Sequence, residues 1–153
     1  ANILVDNAGV CKLADFGAAT ALQDLSVAEH RSLHGTTYWM APEVVKQVGH
    51  GRQADIWSVG CTVIEMLTGS PPWSHFKSHV SALFHIGLTK ELPAIPDHIS
   101  PAARDFLLLC FQRSPSKRPA AHKLLQHPFI TQDELVSLPT SSVLATTSSH
   151  TSA

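Results

Sequence analysis

The sequence predicts a mainly α-helical domain that opens on one small β-hairpin and closes in a disordered C-terminal tail. Three observations lead there. Ile3-Leu4-Val5 and Val10-Cys11-Lys12-Leu13 are short apolar runs separated by Asp6-Asn7-Ala8-Gly9, which reads as two strands joined by a tight Asx/Gly turn. Residues 53–68 carry apolar or small side chains on nearly every face, among them Ile56, Val59, Gly60, Cys61, Ile64, Met66 and Leu67, so this helix is expected to be buried all round. From Thr131 onward the composition turns to Ser, Thr, Ala and Leu with no Lys or Arg, too little burial to offset the entropy of ordering. The domain is accordingly drawn over residues 1–130 and the tail over 131–153.

Composition excludes several function classes. A chain of 153 residues can bury one real core. Its formal net charge of −1 argues against nucleic acid or an anionic membrane as the main partner. No stretch is apolar for the length of a membrane span, and no signal peptide is visible. Cys11, Cys61 and Cys110 lie far apart among apolar neighbours with no C-x-x-C pair, which reads as reduced, buried thiols in a cytoplasmic protein. The ten histidines are scattered, with no H-E-x-x-H and no Cys/His cluster, and read as surface or loop residues.

Taken in order, the hairpin brings Asn2, just before its first strand, close to Asp15, just after its second. An amide oxygen and a carboxylate at one end of a hairpin can share a hard divalent cation; the plainer reading is that Asp15 caps a turn and Asn2 is a loop residue. Residues 18–34 form a long loop without apolar period, a length that is usually functional or disordered. Pro42 can start a short helix through Lys46, because a first turn does not need the missing N–H, and Gly49, His50 and Gly51 break it. Asp55, early in the 53–68 helix, is expected to enter the core and to need donors there. Gly69 ends that helix and Ser70-Pro71-Pro72-Trp73 turns the chain. Residues 76–87 read as an amphipathic helix with Val80, Leu83, Phe84 and Ile86, and 92–96 as an extended connector. Ser100-Pro101 is an N-cap with a first-turn proline, opening a helix to about Phe111. After the turn at 114–119 a last helix runs through Leu124-Leu125, and His127-Pro128 is expected to stop it.

One set of motifs goes beyond architecture. Lys12-Leu13-Ala14-Asp15-Phe16-Gly17 is followed about two dozen residues later by Met40-Ala41-Pro42-Glu43. Gly35-Thr36-Thr37-Tyr38-Trp39 leads into the second motif, Asp55-Ile56-Trp57-Ser58-Val59-Gly60 follows it, and Arg118-Pro119 comes near the end. The order and spacing resemble the protein kinase family from the end of its catalytic loop onward. The strings Tyr38-Trp39-Met40-Ala41-Pro42-Glu43-Val44-Val45 and Asp55 to Met66 most resemble the mitogen-activated protein kinase kinase kinases of the sterile-kinase group. Thr37 is the one departure, since proline is common there.

The resemblance implies a protein kinase-like fold, C-terminal lobe only, and phosphoryl transfer from ATP and Mg²⁺ to Ser or Thr of a downstream kinase as protein substrate. It makes Asn2 and Asp15 metal ligands, with Leu4, Ala14 and Asp15 lining the ATP site. Phe16 is the aromatic whose packing distinguishes active from inactive states, and Gly17 lets the Asp-Phe pair swing. The loop becomes an activation segment, with Ser32 as first candidate phosphosite and Ser26, Thr37 and Thr20 behind it. Thr36 supports a catalytic Asp that lies outside these residues, and Asp55 takes its donors from the catalytic loop. Glu43 and Arg118 form a buried ion pair that clamps the segment to the lobe. The Gly-rich phosphate loop, its Lys and the catalytic Asp are lacking, so the chain reads as a fragment inactive alone. The alternative is a kinase-derived docking or scaffold module without phosphoryl transfer.

Overall fold

A computed structural model describes residues 2–18 and 37–131. The hairpin pairs β1 (Ile3–Val5) with β2 (Cys11–Leu13) antiparallel, Ile3 opposite Leu13, Leu4 opposite Lys12 and Val5 opposite Cys11. Its turn is closed by the Asp6 carboxylate, whose Oδ1 accepts the N–H groups of Ala8 at 2.9 Å and Val10 at 3.0 Å. Gly9 supplies the left-handed residue the turn needs, at φ +80°. The Val10 and Ala8 donors, with a smaller contribution from Lys12, hold the Asp6 carboxyl below its ordinary value. Every side chain on both strands is exposed. Among the described residues no second layer covers the apolar Ile3 and Val5 of this two-stranded ribbon.

The rest is helical. Pro42 opens α1 (Pro42–Val45) as its first residue, and the chain leaves it through Gln47 at φ +54° and Gly49 at φ +83°. Helix α2 spans Gln53–Thr68 and stops at Gly69, left-handed at φ +71°, whose N–H reaches Glu65 O. Helix α3 (His79–Leu88) starts three residues later than expected, because Ser78 is extended. Helix α4 (Pro101–Cys110) is capped by Ser100, whose Oγ accepts the Ala103 N–H at 3.1 Å. After a 3₁₀ turn at Pro115–Lys117 come α5 (Ala121–Leu124) and α6 (Pro128–Thr131). Pro128 therefore begins a helix as well as ending one, the first-turn use of proline, and Thr131 is helical where the tail was expected to begin. Residues 132–153 lie outside the described residues.

Helix α2 is the pillar, but it is not buried all round. Trp57, Cys61 and Ile64 pack against Leu107 and Phe111 on one side, and Ile56 joins Phe106, Cys110 and Leu124 on the other. Val59 and Met66 remain exposed, Met66 at 72 %. A third cluster sets Trp73, Ala82 and Ile86 with Tyr38, Val45 and Phe76, seating α3 on α1. Gly60 is the contact between α2 and α4: a Cβ there would come within 2.8 Å of Cys110 Cβ and 2.9 Å of Phe111 Cε1. Overpacking of this kind typically costs ~1–3 kcal/mol, against a helix-propensity gain of about 1 kcal/mol for Ala over Gly. Gly60→Ala is thus expected to lower the urea midpoint; an unchanged or raised midpoint would show that α4 simply moves away.

Of the three free thiols, Cys61 and Cys110 are buried and Cys11 is exposed. The expectation of three buried thiols fails at Cys11, because it sits on the uncovered ribbon. Burial pushes the Cys110 thiol up to about 12, and drives Cys61 higher still. In the native chain a disulfide-exchange reagent such as Ellman's should consume one thiol quickly and the other two only on unfolding. Three fast thiols would mean that the α2/α4 core is open.

Candidate functional site

The first candidate site is the open end of the hairpin. The Ala14 N–H donates to Asn2 O at 2.9 Å, so the ladder runs one pair beyond the strands and leaves Asp15 next to Asn2. Side chains of cross-strand partners share a face and alternate along each strand. Asn2, Leu4, Lys12 and Ala14 therefore lie on one face of the ribbon, the face on which a cofactor site was expected. Asp15 and Asn2 are exposed, Ala14 is half-buried, and Leu4 and Phe16 are exposed at 56 % and 67 %.

The left-handed backbone falls on Asp15, at φ +60°, and not on Gly17. A non-glycine residue held there typically costs on the order of 1 kcal/mol. Asp15 Oδ1 accepts the N–H of Gly17 at 3.3 Å, a long bond within its own turn, so among the described residues most of its lone pairs remain available. An exposed carboxylate one residue past the Ala14–Asn2 backbone pair suits a hard, oxygen-seeking cation. Among the described residues no three His, Cys, Asp or Glu side chains gather closely enough to hold a metal. A cation at Asp15 would thus draw the rest of its shell from Asn2, water and phosphate oxygens.

The second site is the clamp that fixes residues 37–45. Arg118 Nη1 and Nη2 donate to Glu43 Oε1 and Oε2 at 2.6 and 2.8 Å, a bidentate pair with side-chain exposures of 0 % and 7 %. The same guanidinium donates to Gln53 O at 2.7 Å and, through Nε, to Gln112 O at 2.8 Å. It lies 5.2 Å from the centre of the Trp57 ring, which is fully buried. The structure brings Glu43 and Arg118 together across 75 positions of sequence.

Next to the clamp, Ser58 Oγ donates to Trp39 O at 2.9 Å, and Trp39 Nε1 donates to Glu65 Oε2 at 3.2 Å. Both tie the 3₁₀ turn Thr37–Trp39 to α2. Between them opens a shallow cleft of about 210 Å³ lined by Trp39, Met40, Val44, His50, Asp55 and Ser58. Asp55 is exposed on the wall of this cleft and not buried in the core as expected. It occupies the first turn of α2 on the face turned to the opening, where water and the positive helix end favour its charge.

Ser32 and Thr36 lie outside the described residues, as do Thr20 and Ser26. Thr37, a reserve phosphosite, is fully buried, which places its hydroxyl out of reach of an enzyme in this conformation. Sequence reasoning missed Arg113. Its guanidinium donates to Glu91 O and Ile86 O, both at 2.9 Å, and to Thr89 O, gathering the carbonyls at the end of α3. It also lies 5.9 Å from the Trp57 ring. Burial, and then the neighbouring Arg118, lower its pKa, with Glu43 opposing. The available signal was a second arginine five residues before Arg118 in a turn that must close on α2.

Comparison with known proteins places the sequence among relatives. The family profile described as Protein kinase domain matches residues 1–130. The chain is 58 % identical over 132 residues to mitogen-activated protein kinase kinase kinase 2 of Arabidopsis thaliana, covering 86 % of this chain and 20 % of that protein. It is 49 % identical over 149 residues to mitogen-activated protein kinase kinase kinase A of Dictyostelium discoideum, covering 97 % and 16 %. With mitogen-activated protein kinase kinase kinase 3 of Homo sapiens it shares 48 % over 131 residues, covering 84 % and 21 %. The chain spans about a fifth of the length of these curated relatives.

Proposed function

This chain belongs to the protein kinase family, and from that premise we propose that it forms part of a Ser/Thr kinase acting in the cytoplasm on a downstream kinase of a mitogen-activated cascade. The reaction would move the γ-phosphoryl group of Mg-ATP to a Ser or Thr hydroxyl. The observation that carries this reading is Asp15, exposed and held at φ +60° one residue past the backbone pair of Ala14 with Asn2. Bound Mg²⁺ and ATP would supply the phosphoryl group and neutralise its charge. Asp15 and Asn2 would hold the cation, and Leu4 and Ala14 would line the nucleotide from the same face. The Glu43–Arg118 clamp and the Ser58 and Glu65 bonds would keep residues 37–45 rigid, so that substrate orientation costs little at the moment of reaction. Thr36 and a phosphate on Ser32 would complete and order the segment.

Residues 1–153 contain no H-R-D motif and no Gly-rich phosphate loop, so they are expected to be inactive by themselves. The test is transfer from labelled ATP to a Ser/Thr protein substrate by the full-length polypeptide that carries this chain, with Mg²⁺ titrated and phosphoamino acids identified. Mg²⁺-dependent phosphoserine or phosphothreonine supports the proposal. Phosphotyrosine, or no transfer by a folded and ATP-supplied protein, would overturn it and leave the docking-module reading.

A further inference from the structure

The turn that delivers Arg118 to the clamp runs through a stretch without acid. No Asp or Glu occurs between Asp105 and Asp133, and Arg113, Lys117, Arg118 and Lys123 all fall in that interval. Arg118 is spent on Glu43, and Arg113 on the carbonyls at the end of α3. Lys117 is exposed and, among the described residues, enters no ion pair. Two exposed serines, Ser114 and Ser116, stand beside it with their hydroxyls 3.0 Å apart.

Ser114 precedes Pro115, and its backbone is extended at φ −80° and ψ 118°. A proline after a hydroxyl residue removes one backbone donor and holds that residue extended. An enzyme acting on such a hydroxyl must do without that N–H and match an extended acceptor. Most kinase grooves are thereby excluded, and a cation shortly after the proline adds charge recognition.

The chain has two other Ser-Pro pairs, Ser70-Pro71 and Ser100-Pro101, and the structure separates them from this one. Ser100 Oγ accepts the Ala103 N–H at 3.1 Å and caps α4, and the cation that follows, Arg104, is bound to Pro96 O and Asp97. Ser70 is followed by a second proline and by Trp73, buried and held at φ +64°, with no Lys or Arg before Lys77. The Ser114 side chain makes no cap bond. Its carbonyl accepts the Lys117 N–H at 3.0 Å, so the chain comes back over Ser114 within one turn. That 3₁₀ turn rests on this bond and on the one from Arg118 N–H to Pro115 O at 3.1 Å, so opening it into an enzyme's groove costs little.

We propose that Ser114 is a phosphorylation site for a proline-directed Ser/Thr kinase, read through Pro115 and Lys117, and that the phosphate once formed pairs with Lys117 across the turn. Ser114 Oγ attacks the γ-phosphorus of ATP and the O–P bond forms. The bond from that phosphorus to the β,γ-bridging oxygen breaks, ADP leaves with the electron pair, and the hydroxyl proton passes to a base of the modifying kinase. The new group brings roughly −1.5 to −2 of charge into a stretch of cations and displaces the bond between the Ser114 and Ser116 hydroxyls. Lys117 reaches it on a flexible stem. Both partners face water, so the pair is weak and sensitive to salt. Ser116 is the rival acceptor, with Arg113 three residues before it, but that guanidinium is already engaged by Glu91 O and Ile86 O. The chain is here the substrate, so the inference does not depend on its own transfer of phosphate.

The test incubates the full-length polypeptide with ATP, Mg²⁺ and a purified proline-directed Ser/Thr kinase, counts phosphate above a no-kinase control, and locates it by mass spectrometry. Phosphate should appear on Ser114 and vanish in Ser114→Ala, whose melting temperature stays at that of wild type because no cap bond is lost. Pro115→Ala and, separately, Lys117→Glu should each slow the modification roughly tenfold. In the phosphorylated protein the Lys117 and Arg118 amides should exchange with deuterium about threefold more slowly at low salt, a difference that shrinks as salt is raised. Phosphate on Ser116 instead, none on Ser114, or an undiminished rate in Pro115→Ala would overturn the site. An undiminished rate in Lys117→Glu, or unchanged amide exchange, would overturn the role given to Lys117.

Discussion

Replacing Arg118 by alanine is expected to cost ~3–5 kcal/mol of unfolding free energy, the usual loss when one partner of a buried ion pair is removed. Three consequences fall on the same substitution. The Glu43 carboxylate, 7 % exposed, loses both donors and stays buried with its charge. The carbonyls of Gln53 and Gln112 lose theirs. The buried Trp57 ring loses the nearer of the two guanidinium groups over it. Small domains are commonly stable by only about 5–15 kcal/mol, so much of the margin would go, and urea unfolding followed by tryptophan fluorescence would show it. Arg118→Lys should fall between wild type and alanine, because one ammonium cannot bond both Glu43 oxygens in the plane of a guanidinium and reach two carbonyls as well. Arg118→Met combined with Glu43→Met should recover a large part of the loss, since it is the orphaned charge that costs most. If Arg118→Ala unfolds within experimental error of wild type, the clamp does not organise this lobe.

The helical architecture was legible wherever a long apolar period met a clear stop. Residues 53–68 are helical at both expected limits, because sixteen residues of pattern end on a glycine that takes the left-handed conformation. Short elements were read less well. Ser78 is extended and delays α3, and Pro128, read as a stop, opens another turn. Exposure was harder than secondary structure. Ile3, Leu4, Val5 and Phe16 are apolar and uncovered, and Asp55 is charged and open to water, because local sequence states what a side chain prefers and not which element will cover it. Glu43 and Arg118 stand 75 positions apart, a separation no periodicity links; only the order of the motifs suggested the pair. No motif pointed to Arg113, whose role arises entirely from where the turn before α5 meets the end of α3. Ser32 and Thr36 lie in residues 19–36, outside the described part of the chain, and their assignment rests on the motif alone.

Asp15→Asn should reduce Mg²⁺-ATP-dependent phosphorylation by the full-length polypeptide by at least ~10²-fold, the scale of losing one charge-stabilising group in phosphoryl transfer. Asparagine is the informative substitution because of the backbone. Asp15 sits at φ +60°, a conformation that Asn shares readily and Ala does not. Asp15→Asn therefore removes the charge while keeping the turn, whereas Asp15→Ala removes the charge and strains the turn as well. Neither should shift the melting temperature by much, since Asp15 is exposed and, among the described residues, its side chain bonds the N–H of Gly17 in its own turn. The Mg²⁺ dependence separates a ligand from a mere turn residue. If the carboxylate holds the cation, Asp15→Asn needs much more Mg²⁺ for half-maximal rate, and Mn²⁺, which bonds neutral nitrogen and oxygen donors more strongly, rescues part of it. Loss of rate with an unchanged Mg²⁺ requirement would assign Asp15 to positioning the turn, and activity equal to wild type in both variants would remove it from the site.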